Sequence, residues 1–182
     1  AVVGFDDSFN NEIDGKDAGM MLLRDIAFGA KKELVNKVNF LFIPILSVDA
    51  HERSSVFNRP NQRGPKNMGW RTNAQNLNLN RDYTKLDTKE IRAVVKVIND
   101  YNPSLYMDIH VTDGADYQYD ITYDFGSEKS YSPMITKWFS DTFKSAIDTD
   151  LKINGHIPGS YLNTANEMDF SKGNISFKGS PR

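Results

Sequence analysis

The sequence predicts an α/β domain with a mixed, largely parallel sheet and helices on both faces. Three observations carry that prediction. Residues 2–5, 38–46 and 105–111 read as strands, and two stretches of helical periodicity separate them. A strand, a helix and a further strand in succession imply a right-handed parallel crossover. Finally, the run at 38–46 (VNFLFIPIL) is almost wholly apolar, as a strand covered by helices on both faces requires.

Each element has its own signal. Val2, Val3 and Phe5 make the first strand, and the polar residues 6–11 end it just before Glu12. Ala18, Met21, Leu22 and Ile26 then recur at helical spacing, with Asp14 or Asp17 to start the helix and Gly29 to stop it. The run at 38–46 predicts a central strand that leaves the sheet at Pro44, which has no N–H to donate. Residues 47–76 show almost no periodicity. They hold Pro60, Gly64, Pro65 and Gly69 along with Arg53, Arg59, Arg63 and Arg71, while Phe57 and Trp70 argue for order in what reads as a functional loop. Leu77 and Leu79 alternate with Asn78 and Asn80, which predicts a short strand-like segment with its leucines inward, and Arg81 follows as a planar donor fork. A solvated turn whose asparagines bond to the backbone is the plainer alternative.

The next helix has Asp87 and Glu90 in capping-box spacing, an apolar face of Ile91, Val94, Val95 and Ile98, and an end at Asn102-Pro103. Behind it, Leu105, Met107, Ile109 and Val111 alternate with Tyr106, Asp108 and His110. Tyr119, Ile121 and Tyr123 suggest another strand, and Ser132-Pro133 opens a helix whose face of Ile135, Trp138, Phe139, Phe143 and Ile147 is expected to be core. Beyond Leu151 the sequence reads mostly as loop.

Composition narrows the function. A chain of 182 residues without a compositional break predicts one domain over 1–182. With 22 basic against 24 acidic residues it has neither a nucleic-acid footprint nor a polybasic membrane patch, and no stretch is long enough for a membrane span. Without cysteine, any metal must be held by His, Asp or Glu. Both ends read as cut, so a fragment of a longer protein is expected, and the ends do not reveal localisation.

Open α/β sheets bind ligands beyond the carboxyl ends of their strands. Glu12 and His110 both stand at such ends. Singly they read as a solvated turn acid and a hydrogen-bonded strand histidine; together they offer two ligands for a catalytic zinc, which takes three protein ligands and a water. Three stretches then resemble the zinc metallocarboxypeptidases that share the pancreatic carboxypeptidase fold. Residues 12–19 (EIDGKDAG) resemble the segment carrying that family's His-x-x-Glu zinc motif, Arg71 with Leu79-Asn80-Arg81 resembles its substrate-binding arginine and Asn-Arg pair, and Asp108-Ile109-His110 resembles the strand with its last zinc histidine.

The resemblance implies a zinc-carboxypeptidase-like (phosphorylase/hydrolase-like) architecture and a hydrolase that cleaves the C-terminal peptide bond of peptides. Glu12 and His110 would bind Zn2+, Arg71 would polarise the scissile carbonyl, and Asn80 and Arg81 would bind the terminal carboxylate. Such a family member would suit a secreted or periplasmic setting. There are departures. Phe9 stands where the first zinc histidine is expected, leaving His51 as a substitute, and Asn78 replaces an aspartate that would orient the missing histidine. The general-base glutamate would lie beyond Arg182, since Glu167 falls in loop-like sequence. These leave two alternatives: an N-acyl amino acid deacylase of the same fold, and a metal-free module that binds peptide carboxylates.

Overall fold

A computed structural model describes residues 2–6, 12–60, 62, 65–112, 117–125, 131–164 and 174–176, with 2–6, 162–164 and 174–176 described through their backbone. The chain divides into two compact units, one built on residues 1–115 and the other on residues 116–181. No described helix is long and apolar enough to cross a membrane.

The first unit carries a three-stranded parallel sheet of β1 (Val2–Asp6), β2 (Phe40–Ile43) and β3 (Leu105–Ile109) in the order β2-β1-β3. Between β1 and β2 runs α1 (Asp14–Phe28), with Asp14 and Asp17 in its first turn and Gly29 as its C-cap, as the periodicity predicts. The expectation of a central strand at 38–46 is corrected. Among the described strands β2 lies at the edge and β1 in the middle, and only four residues of the apolar run pair. Pro44 takes the chain out of the sheet, and Leu46, 7 % exposed, enters the core beyond it.

Alternation along β2 places helices on both of its faces. A Cβ at position 19 of α1 would fall 2.2 Å from the Phe42 ring, so the helix comes this close only because Gly19 has no side chain. Leu41 and Ile43 point the other way, into a core of Leu46, Leu79, Ile91 and Val94. The last two belong to α3 (Lys89–Tyr101), whose N-cap is Thr88 and not Asp87: its hydroxyl accepts from Ile91 N–H. The helix stops at Asn102, in the left-handed region at φ 42°, just before Pro103.

The long loop is more structured than its lack of periodicity suggests. It contains α2 (Val48–Glu52) and a bridge between Ser55 and Met68. The strand-like reading of 77–80 is also corrected, since Leu79–Arg81 forms a 3-10 turn. Asn78 caps it by accepting a hydrogen bond from Asn80 N–H, and Leu79 and Asn80 are both buried, at 1 % and 6 % exposure. Two consecutive buried side chains suit a turn wedged into the interior better than a strand with one covered face.

In the second unit, β4 (Ile121–Tyr123) is followed by α4 (Pro133–Trp138), capped by Ser132 as expected. A π-helical turn at Phe139–Lys144 joins it to α5 (Ser145–Ile153). The chain beyond 151, expected as loop, supplies β5 (Pro158–Ser160), parallel to β4, and β6 (Leu162–Thr164), antiparallel to β7 (Asn174–Ser176). The apolar face expected to be core is not fully covered: Ile135 and Trp138 are exposed at 41 % and 46 %. Phe139 stacks instead on Phe125, with ring centroids 4.0 Å apart, and on Phe143 at 5.4 Å. Strands of three residues are too short to cover a helical stretch running from 133 to 153.

Candidate functional site

Glu12 and His110 meet beyond the ends of β1 and β3. Parallel pairing sets Asp6 opposite Ile109, so both chains leave the sheet on one edge. Glu12 Oε2 lies 2.8 Å from His110 Nδ1 and accepts the Val111 backbone N–H at 3.1 Å. The other ring nitrogen, Nε2, is 3.2 Å from Asp108 Oδ2. Asp108 and His110 are two residues apart on an extended segment, which gives their side chains the same side of the chain. The imidazole is thus held between two carboxylates, and its orientation is fixed from both ends.

Glu12 is 5 % exposed, a depth at which a carboxylate requires partners. One is a cation from the long loop: Arg59 Nη2 lies 3.9 Å from Glu12 Oε1, and Arg59 is itself only 8 % exposed. Arg59 begins a turn in which Gln62 N–H donates to its carbonyl at 3.0 Å. Gln62, also buried, donates its side-chain amide to Thr112 O at 3.3 Å. The turn therefore docks on the segment that follows His110.

The remaining site residues of the sequence reading belong to the same unit. Asn80 is buried in the 3-10 turn, and its amide oxygen has no hydrogen-bond partner among the described residues. Arg81 is exposed and donates Nη1 to Asn80 O at 2.8 Å. The turn is held near the sheet by Leu79 in the core and by Tyr83, whose hydroxyl is 3.1 Å from that of Tyr106 on β3. Arg71 is half-buried in the loop. Arg53 lies over the Trp70 ring, 4.5 Å from its centroid, and His51 on α2 is 3.2 Å from Glu52. Phe9, Arg63 and Glu167 lie outside the described residues.

Sequence reasoning brought Glu12 and His110 to one edge but passed over three of their neighbours. Asp108 was legible, because it alternates with His110. Arg59 was one of four arginines in the loop, and nothing in the sequence singled it out. Gln62 had no signal. Among the described residues, no group of three or more His, Cys, Asp or Glu side chains is arranged to hold a metal ion. Comparison with protein-family models, with curated proteins and with solved structures found no match to this chain.

Proposed function

We propose that this chain is a zinc-carboxypeptidase-like hydrolase domain that recognises a peptide by its free C-terminal carboxylate. The observation that carries the reading is the Glu12–His110 contact of 2.8 Å, made across 98 residues of sequence at the carboxyl edge of a parallel sheet. A carboxylate and an imidazole nitrogen are zinc donors, and Asp108 on the far nitrogen is the partner that orients a metal-bound histidine. Glu12 and His110 would supply two of the three protein ligands that a catalytic zinc takes. Zinc held there would supply an activated water and Lewis acidity towards the scissile carbonyl.

The protein's own part is to bind and orient. Arg81 offers a fork of N–H donors to a terminal carboxylate, and Asn80 beside it has an amide whose oxygen has no hydrogen-bond partner among the described residues, so that turning the amide to present its N–H2 costs no bond at that atom there. Arg71 is the candidate for polarising the carbonyl. An N-acylated dipeptide and its C-terminal amide, each offered with zinc and with a chelator, test the reading. The free acid with zinc is expected to be the substrate, and Arg81→Ala is expected to lower kcat/KM by about 10²-fold or more through KM, as loss of a charge-assisted bidentate contact of roughly 3 kcal/mol requires. Equal turnover of acid and amide would exclude the carboxylate role. Preference for acyl amino acids over peptides would assign the deacylase chemistry.

One observation favours a second reading, the metal-free carboxylate-binding module. Glu12 and His110 already satisfy each other: Oε2 meets His110 and Val111 N–H, Oε1 faces Arg59, and Nε2 faces Asp108. For that module, calorimetry with a free-acid peptide in chelator gives full binding and no turnover.

A further inference from the structure

We propose that Arg59 is a positioning residue for Glu12, delivered by a strained backbone to hold one carboxylate oxygen so that the other faces His110. The inference rests on the reading of Glu12 and His110 as a metal-donor pair and adds to it the cation that keeps them in place. Two independent features of Arg59 support it. Its backbone is left-handed, with φ 51°, a region that residues other than Gly, Asn and Asp rarely enter. The residue after it is Pro60, and a residue before proline is normally driven to extended conformations. Such strain persists only where the surroundings over-determine it. Here the surroundings are the Gln62 N–H on the Arg59 carbonyl and the Gln62 amide on Thr112 O, which pin the turn to the segment after His110.

The second feature is electrostatic. Arg59 and Glu12 are both more than nine-tenths buried, and their charges lie 3.9 Å apart. The assignment of the oxygens is complementary. Oε1 faces the guanidinium, so Oε2 is left for the ring nitrogen and the Val111 N–H. Without that cation the buried Glu12 carboxylate loses its charge partner on Oε1 and is expected to turn towards water, breaking the contact with His110.

The test is a double-mutant cycle on the full chain, melted in the presence of a chelator, with Arg59→Met, Glu12→Gln and the pair together. Arg59→Met is expected to lower Tm by roughly 6 °C or more, as stranding a buried charge does in a chain of this size, and the double variant is expected to regain at least half of that. If the two losses simply add, or Arg59→Met costs nothing, the proposal is overturned. Should Arg59→Met alone not fold, a cooperative melt for the double variant supports the proposal and its absence overturns it. Zinc titration supplies a second readout: Arg59→Met is expected to bind zinc about tenfold more weakly or worse, the usual effect of losing an outer partner of a ligand. Unchanged or tighter zinc binding overturns the positioning role. A wild-type chain that binds no zinc overturns the metal reading instead, and the chelator melts still decide whether Arg59 holds Glu12.

Discussion

Asp82, one residue past the turn that carries Asn80 and Arg81, shows how a single side chain sets up both the turn and the helix after it. It is 1 % exposed and accepts three hydrogen bonds, from Thr88 Oγ at 2.6 Å, Thr88 N–H at 2.8 Å and Asp87 N–H at 2.9 Å. Burial pushes its carboxyl up, but the Thr88 hydroxyl and the two backbone N–H groups outweigh burial and hold it below the usual carboxylate range. A depressed carboxyl contributes stability at pH values above the unfolded value of about 4 and loses it as pH falls through the folded value. Asp82→Ala is therefore expected to cost about 3 kcal/mol at pH 7, where it leaves buried donors unpaired, and less at an acid pH below the folded value, where the wild-type carboxyl is itself protonated. Urea melts at the two pH values check this. An equal loss at both would mean that the ionised carboxylate contributes nothing beyond its shape.

At the scale of elements, the close approach of α1 to β2 rests on one glycine. Alanine at 19 gains up to about 1 kcal/mol in helix propensity. The same methyl meets Phe42, whose ring is stacked on Phe40 with centroids 6.2 Å apart and must shift to admit it. Overpacking of this kind costs about 1–3 kcal/mol, so Gly19→Ala is expected to destabilise on balance. Adding Phe42→Leu should recover part of the loss, which chemical denaturation of the single and double variants measures.

The elements were legible wherever the pattern was regular. The helix at Asp14–Phe28 and the strand at Leu105–Ile109 follow the periodicity closely, because each buries one regular face. The segment 77–81 was legible only as two alternatives, because alternation over four residues is compatible with a strand and with a capped turn alike, and Asn78 chose the turn by bonding to Asn80 N–H. The N-cap of α3 fell on Thr88 for a tertiary reason: Asp82, six residues back, accepts the hydrogen bond of the Thr88 hydroxyl and leaves Thr88 Oγ to accept from Ile91 N–H.

At the scale of the molecule, the buried hydrophobic side chains among the described residues all belong to the first unit: Leu46, Ala50, Met68, Leu79, Ile91 and Val94. In the second unit α4, the π turn and α5 hold no fully buried residue. Protection against amide exchange follows buried contacts, so the middle of α3 is expected to exchange several orders of magnitude more slowly than α4 and α5. Exchange followed by mass spectrometry distinguishes the two, and equal protection would show that the aromatic stack around Phe139 is as cohesive as the core around Ile91.

The sequence by itself determined the α/β order of elements, the ends of α1, the apolar face of α3 and the placement of Glu12 and His110 beyond parallel strands, because these depend on local periodicity and on the direction in which strands run. Only the tertiary structure decided that β2 lies at the edge of the described sheet, that Asp108 braces the far side of the His110 ring, and that Arg59 turns inward to Glu12. The physical reason is that a buried charge is chosen by what surrounds it: the desolvation of Glu12 is offset only where a cation, a ring nitrogen and a backbone N–H converge, and they come from stretches of sequence whose local patterns carry no information about one another.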